Sequence, residues 1–354
     1  MHYFENKVIF QPCDMLFLKK FGIDEATKMI EDFYSVNSNK LPFLTDQRQL
    51  ASMLGIELRT LYSILKSINA NYTTHKFVQK NGKVRTINEP STKLKSIQRL
   101  IYFRILQHLS VSKYAKAYRP RITIKQNALP HIGKKYLLKM DIKDFFPSIT
   151  FTRVYGAAFN TKFFPKYIGT LLTTLCCKDD CLPQGAPTSP ALSNLVMKNF
   201  DEYLGKWCEE KGIAYTRYCD DLTFSSDMPL YGVYLKAKYM LENMGFDVNE
   251  KKTKFISSKN RQTVTGLTVN KKLNISSVYK RELRQEVYYV LKFGAKTAIL
   301  RGGHEDYIIG GETLKVDYLY HLLGKVNYVL SIERDNKWFQ ESKGYLTDMI
   351  IKYS

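Results

Sequence analysis

The sequence predicts an α+β fold, with short antiparallel strands set among longer helices. Residues 75–80 and 83–87 alternate around Asn81-Gly82, and Asn-Gly between alternating runs is the strongest short hairpin signal. Residues 213–217 and 222–224 are rich in β-branched and aromatic side chains and flank Tyr218-Cys219-Asp220-Asp221, which reads as a second hairpin with two acids at its turn. Apolar residues at helical spacing fill the stretches near 91–109, 151–158, 164–177, 229–244, 277–293 and 313–331.

Composition narrows the class. A chain of 354 residues is long enough for two or three subdomains, and 44% hydrophobic content excludes a disordered protein. No apolar run reaches membrane-spanning length and the first residues lack a signal-peptide pattern, so a cytoplasmic location is expected. The cysteines Cys13, Cys176, Cys177, Cys181, Cys208 and Cys219 fit a reduced chain. Cys176, Cys177 and Cys181 have no His or fourth Cys at zinc-finger spacing and read as packing residues.

The net charge of +21 points to a polyanionic partner. It is concentrated: residues 51–140 hold 18 lysines and arginines against 2 acids, whereas residues 271–354 hold 14 against 10. Such a density suits a phosphate backbone, ahead of a membrane surface.

Residues 1–50 read as mainly helical, and 45–65 as two short helices about Gly55, a helical hairpin rather than a DNA reader. One face of the 76–87 hairpin is expected to carry Lys76, Lys80 and Arg85, with Pro90 closing it. A basic amphipathic helix follows over 91–109. Residues 135–142 form a half-buried strand ending at Asp141. The loop 182–190, rich in Pro, Ser and Thr, opens a long helix running to about Lys211. Further strands are expected near 253–257 and 262–274, and the remainder is mostly helical.

Three acids now carry chemistry. Asp141 ends a strand, and Asp220 and Asp221 sit at a hairpin tip. Antiparallel pairing of these strands brings the carboxylates together. Three carboxylates in a basic cleft make a two-metal phosphoryl-transfer site, in which one ion activates the attacking hydroxyl and the other stabilises the leaving group.

The order Asp141-Ile142-Lys143-Asp144-Phe145-Phe146, Leu182-Pro183-Gln184-Gly185-Ala186-Pro187-Thr188-Ser189-Pro190 and Tyr218-Cys219-Asp220-Asp221 resembles the A, B and C motifs of reverse transcriptases. The run from Gly245 to Thr253 resembles their motif D, and the likeness covers roughly 76–275. Asn127-Ala128-Leu129-Pro130-His131 and Val264-Thr265-Gly266 match two signatures of retron reverse transcriptases. Cys219 departs from them, since Ala is common there; its small, mildly apolar side chain suits the turn.

The resemblance implies a right-hand polymerase. An N-terminal helical region occupies 1–75, fingers 76–135 with part of 150–185, a palm with an antiparallel sheet 136–275, and a helical, RNA-recognising thumb 276–354. It implies RNA-templated DNA synthesis with two Mg²⁺ ions held by Asp141, Asp220, Asp221 and the backbone carbonyl of Ile142. Arg85 is implied for the incoming triphosphate, with Lys80 or Lys83 beside it, and Phe146 for a steric gate against the ribose 2′-hydroxyl. Gln184, Gly185 and Ala186 are implied for the nucleotide pocket, and Lys252 for protonating pyrophosphate. For Lys252, a salt bridge to a surface acid is an equal reading.

For Asn127 and His131 the resemblance implies a template-RNA or structural role, and the residues alone read as a capped turn. Val264, Thr265 and Gly266 read as a strand and a bulge, with proximity to the primer and structured RNA implied. Tyr288, Tyr289, Tyr318 and Tyr320 are thumb candidates for stacking on RNA, although core packing is the expected fate of each.

Retron enzymes copy their own structured noncoding RNA, prime from a guanosine 2′-hydroxyl, yield a branched RNA–DNA hybrid, and act with an effector protein in defence against phage. The implied partners are therefore that RNA, its RNA–DNA product, deoxynucleoside triphosphates and an effector, with no membrane. The rivals are another bacterial reverse transcriptase, of abortive-infection, diversity-generating or group II intron type, and a catalytically silent nucleic-acid-binding protein of polymerase fold.

Overall fold

The computed structural model describes residues 41–78, 82 and 84–353. The expected helices before residue 41, together with Lys80 and Cys13, lie outside them.

Helices α1 (Gln47–Met53) and α2 (Leu58–Lys66) form the hairpin expected about Gly55. Asp46 starts α1 with a capping box, accepting from the Gln49 N–H while the Gln49 side chain accepts from Asp46 N–H. Strands β1 (Tyr72–Val78) and β2 (Val84–Pro90) pair antiparallel, Phe77 opposite Arg85 and Lys76 opposite Thr86. Directly opposed residues share a face, so Arg85 lies with Phe77, on the face away from Lys76. The sequence reading had put Arg85 with Lys76; the register corrects it.

Helix α3 (Thr92–Arg104), capped by Ser91, buries Leu94, Ile97 and Ile101 and is shorter than expected, a 3₁₀ turn taking over at 106–108. Helix α4 (Ile124–Ala128) has a Thr123–Gln126 capping box. Strand β3 (Tyr136–Asp141) is followed by α5 (Phe151–Val154), which runs into a π turn, and by α6 (Lys166–Cys176).

The single long helix expected after the 182–190 loop is two, α7 (Ser189–Val196) and α8 (Lys198–Glu210), separated at Met197. Strands β4 (Ala214–Tyr218) and β5 (Asp221–Ser226) make the acidic hairpin. Helix α9 (Tyr231–Asn243) ends at Gly245, whose N–H reaches the Glu242 carbonyl. Strand β6 (Lys254–Ser257) completes a four-stranded sheet of order β4-β5-β3-β6.

The 262–274 region is a small ribbon of β7 (Thr263–Val264) and β8 (Leu267–Thr268). Thr265 and Gly266 are therefore its two-residue turn, where a strand and bulge were expected. Helix α10 (Ser277–Arg301) is broken at Gly294, whose φ of 77° and ψ of 159° are not helical. A second ribbon, β9 (Ile308–Ile309) with β10 (Glu312–Thr313), precedes α11 (Lys315–Ile332) and α12 (Lys337–Tyr353).

Two compact units divide the chain. The first comprises residues up to Arg121, Lys139–Leu222 and Tyr231–Thr253. Helices α3 and α6 pack together there, and Leu172, Leu175, Leu192 and Leu204 are all buried. The second comprises Ile122–Leu138, Thr223–Leu230 and Lys254–Ser354. Its core joins Val264, Leu267 and Val269 to Leu283, Val287, Leu319, Leu322, Val326, Phe339 and Leu346 from α10, α11 and α12. Of the four tyrosines expected to pack in that core, only Tyr318 does; Tyr288, Tyr289 and Tyr320 are exposed because they lie on the outer faces of α10 and α11. No helix among the described residues is long and apolar enough to cross a membrane.

Candidate active site

The first unit carries the acidic residues. Asp141 is the last residue of β3 and is 7% exposed. The backbone N–H of Ile142 donates to the Asp220 carbonyl at 3.0 Å, which ties the strand end to the hairpin turn. The sequence had expected this juxtaposition from strand pairing alone. On the other side, Lys143 N–H donates to the Asp247 carbonyl at 2.8 Å and Asn249 N–H to the Asp141 carbonyl at 2.8 Å. The segment after α9 thereby lies along residues 141–143.

Two side chains from that segment hold the Asp141 carboxylate. Lys252 Nζ stands 2.5 Å from Oδ1, and Asn249 Nδ2 donates to Oδ2 at 3.2 Å. Lys252 thus makes a salt bridge, as the sequence allowed, but to a buried acid of the site rather than to a surface acid. The carboxylate raises the pKa of the Lys252 ammonium, chiefly through this hydrogen bond. Asp221 is shifted upward as well: burial is the first cause, and the charges of Asp220 and Asp141 add to it, against Lys139 and Lys252.

The turn itself is unusual. Cys219 has a φ of +61°, a left-handed conformation that costs a residue with a Cβ roughly 1–2 kcal/mol. Its thiol is buried and accepts from Tyr118 Oη at 3.2 Å. Burial, with Asp220 beside it, pushes that thiol up to about 12. The small side chain therefore sits in a closed place and keeps its proton.

Around the loop before α7, Gln184 and Arg85 meet. In the orientation that satisfies its amide, Gln184 Oε1 accepts from Arg85 Nε at 3.2 Å and Nη2 at 2.8 Å, and its Nε2 donates to the Thr86 carbonyl at 3.0 Å. Asn88 N–H donates to the Gln184 carbonyl at 2.7 Å. Gly185 has a φ of +124°, and a Cβ there would meet the Asn88 carbonyl oxygen at 2.8 Å. The close approach its hydrogen side chain allows is to the β2 backbone. Ala186 is buried behind it.

Phe146 is half-buried, its ring 5.5 Å from that of buried Phe145, which in turn lies 6.0 Å from Phe246. Arg153 lies over the Phe246 ring and donates to the Met244 carbonyl, which ties α5 to the turn after α9.

The second unit carries the remaining sequence candidates. Asn127 and His131 are both buried. His131 Nδ1 is 2.7 Å from Ser225 Oγ, and Asn127 Nδ2 donates to Thr265 Oγ1 at 3.4 Å. The two short signatures, far apart in the chain, thus share one polar contact. Thr265 and Gly266 take φ values of 45° and 84°, as a two-residue ribbon turn requires.

Sequence reading overlooked Asn249 and Arg217. Asn249 stands three residues before Lys252, and only that spacing hinted at it. Arg217 is wholly buried next to the turn, signalled only by one cation in an apolar strand.

The family of reverse transcriptases (RNA-dependent DNA polymerases) matches residues 75–292. The retron Ec86 reverse transcriptase of Escherichia coli is 30% identical over 321 residues, which is 88% of this chain and 92% of that protein. The retron Mx65 enzyme of Myxococcus xanthus is 35% identical, covering 69% of this chain and 62% of its own length. The Mx162 enzyme of the same organism is 31% identical, with 70% and 60% covered. Apo telomerase from Candida tropicalis covers 80% of this chain and 58% of its own at a TM-score of 0.43 and 12% identity. The chain belongs to the reverse transcriptase family, in its retron branch, and is an RNA-directed DNA polymerase.

Proposed function

We propose that Asp141, Asp220 and Asp221 are the carboxylates at which deoxynucleotides are joined, in a palm spanning 136–275. Fingers at 76–135, with part of 150–185, a thumb at 276–354 and an N-terminal region at 1–75 complete this reading. The observation that carries it is the Ile142-to-Asp220 hydrogen bond, which sets the end of β3 against the acidic turn.

The donor set fits a divalent cation. The oxygens are hard, neighbouring acids push the Asp221 pKa up, and the lysine on Asp141 Oδ1 shows that this oxygen accepts a cation. No group of three His, Cys, Asp or Glu side chains among the described residues is drawn together as a metal site. Asp141, Asp220, Asp221 and the Ile142 carbonyl would hold two Mg²⁺ ions, which supply charge neutralisation and a lowered pKa at the attacking hydroxyl.

The chain's own residues do the rest. Arg85, held through Nε and Nη2 by Gln184, keeps Nη1 for a triphosphate oxygen; Lys80, outside the described residues, is the second triphosphate ligand of this reading. The Phe146 ring excludes a 2′-hydroxyl, and Gln184 lines the nucleotide sugar's side of the pocket, with Gly185 and Ala186 allowing close approach. Lys252, once released from Asp141, brings a proton to the leaving pyrophosphate.

The polymerase copies its own structured noncoding RNA, starting from a guanosine 2′-hydroxyl, and leaves a branched RNA–DNA hybrid used with an effector in phage defence. The retron relatives support this reading. Asn127 and His131, both buried, have a template-RNA or structural role, and the 264–266 turn lies near the primer and the structured RNA.

Primer extension on an RNA template is the test: Asp220→Ala is expected to lose about 10³-fold or more in incorporation, and equal rates would refute the site. Nucleic acid extracted with the purified protein, treated with RNase and then a debranching enzyme, is expected to yield a short DNA joined 2′–5′ to RNA. Protein free of such a species would refute the branched product.

A further inference from the structure

Beneath the acidic turn lies a buried polar cluster that the proposed chemistry does not use. Arg217, near the end of β4, and Asp201, in α8, are each fully buried. The guanidinium donates Nε to both Asp201 oxygens at 2.9 and 3.1 Å, and Nη2 to Oδ2 at 2.7 Å. Nη2 also donates to Asn194 Oδ1 at 3.0 Å, and Tyr215 Oη donates to Asp201 Oδ1 at 2.8 Å. Asn194 is itself fixed, its Nδ2 donating to the Ala117 carbonyl at 2.9 Å. One arm remains, and it points at the turn: Arg217 Nη1 donates to the Cys219 carbonyl at 2.9 Å.

We propose that Arg217 is a positioning residue for catalysis, anchored by Asp201 so that its free arm fixes the Cys219–Asp220 peptide and aims the two carboxylates. The proposal rests on the reading of Asp220 and Asp221 as the reacting site.

Three physical points carry it. A fully buried ion pair is a poor route to stability, since apolar replacements of similar volume are often neutral or stabilising. Its forked geometry, however, is rigid, with one arm left over for one backbone oxygen. That oxygen belongs to Cys219, the non-glycine residue held at a φ of +61°. Such a conformation persists only where its surroundings over-determine it. Tyr118 on the thiol, Ile142 on the Asp220 carbonyl and Arg217 on the Cys219 carbonyl are three restraints on two consecutive residues. Arg217 is the one that reaches the turn from inside. Burial opposes its charge and Asp201 more than offsets this, so it stays a cation.

The test separates positioning from folding. The double variant Arg217→Met with Asp201→Leu removes the pair without leaving an orphan charge, and Arg217→Lys keeps a cation without the fork. Each is read alongside Asp220→Ala for kcat and dNTP KM, with kcat normalised to folded enzyme by active-site titration.

Both Arg217 variants are expected to lose about 10²-fold in kcat, the scale of a roughly 1 Å misplacement, while KM changes less than about 3-fold, because the triphosphate contacts assigned to Arg85 are untouched. Should the double variant not fold, Arg217→Lys decides alone. Wild-type kcat per folded molecule in the variant that folds overturns the proposal, and so does a loss of total activity wholly explained by less folded protein. If Asp220→Ala keeps wild-type kcat, the reading of the site falls and this proposal with it. If Asp220→Ala is inactive and the Arg217 variants are not, only this proposal falls.

Discussion

In the unit that holds Asp141, Asp221 feels the charges of two other acids, Asp220 and Asp141, as well as those of two lysines; in the unit that holds the C-terminal helices, Glu286 and Glu333 each face a lysine. Glu333 accepts from Lys280 Nζ at 2.8 Å, from Ile275 N–H at 3.0 Å and from Asn336 Nδ2 at 3.0 Å. Glu286 Oε2 lies 2.7 Å from Lys325 Nζ. These acids are satisfied and hold helices in place. In the first unit the Asp221 pKa is raised, by burial first and then by the charges of Asp220 and Asp141. Neighbouring acids push the Asp221 pKa up, whereas Lys280 and its fellow donors hold Glu333 below the ordinary value.

The contrast can be broken from either side. Lys252→Met removes the resident counter-ion from Asp141. The expected outcome is a fall in kcat of about 10²-fold, as for loss of a general acid. Calorimetric titration of the nucleic-acid-free protein with Mn²⁺ is expected to show tighter binding, since no ammonium has to leave. Unchanged kcat and weaker Mn²⁺ binding would contradict both roles.

Gly185→Ala puts a methyl group within 2.8 Å of the Asn88 carbonyl oxygen at a φ of +124°. Strain on the order of 1–3 kcal/mol should loosen the loop from β2 and free Gln184 from Arg85. A rise of about 10-fold in dNTP KM, with kcat less affected, is the expected reading in steady-state incorporation.

The smallest effect belongs to the second unit. Glu333→Gln should cost about 1–3 kcal/mol at neutral pH, the scale of a charge-assisted hydrogen bond, measured by chemical denaturation. Burial raises the Glu333 pKa, but Lys280, Ile275 N–H and Asn336 outweigh it, and the folded value lies below the ordinary one. That stabilisation is complete above the ordinary glutamate range and fades as pH falls through the folded value. The gap between wild type and Glu333→Gln should therefore close on acidification, whereas a constant gap would mean the carboxylate's charge is not what stabilises.

The parts of the site that were legible in the sequence are those set by local spacing. Two acids between strand-forming runs announced the hairpin, and Asn81-Gly82 announced the ribbon before α3. What the sequence hid depends on register or on distant partners. Arg85 was put on the wrong face because the strands extend symmetrically to Tyr72 and Pro90, a pairing that a six-residue pattern does not determine. The helix after 182–190 breaks at Met197 with neither Gly nor Pro at the break to signal it. The family resemblance named Lys252, and only the fold shows that it rests on Asp141. Arg217 reads as one charge in a strand until Asp201, 16 residues earlier, is brought beneath it.

The turn at Thr265 bears on anyone redesigning this chain. Turn statistics favour Asn at the first position of such a ribbon, since a β-branched residue at a φ of 45° is strained. A consensus-guided redesign would replace Thr265 on that ground. Doing so gains a relaxed backbone but loses the hydroxyl that Asn127 reaches, and cuts a hydrogen bond joining two signatures 138 residues apart. A stabilised scaffold for this polymerase should leave that strained threonine alone.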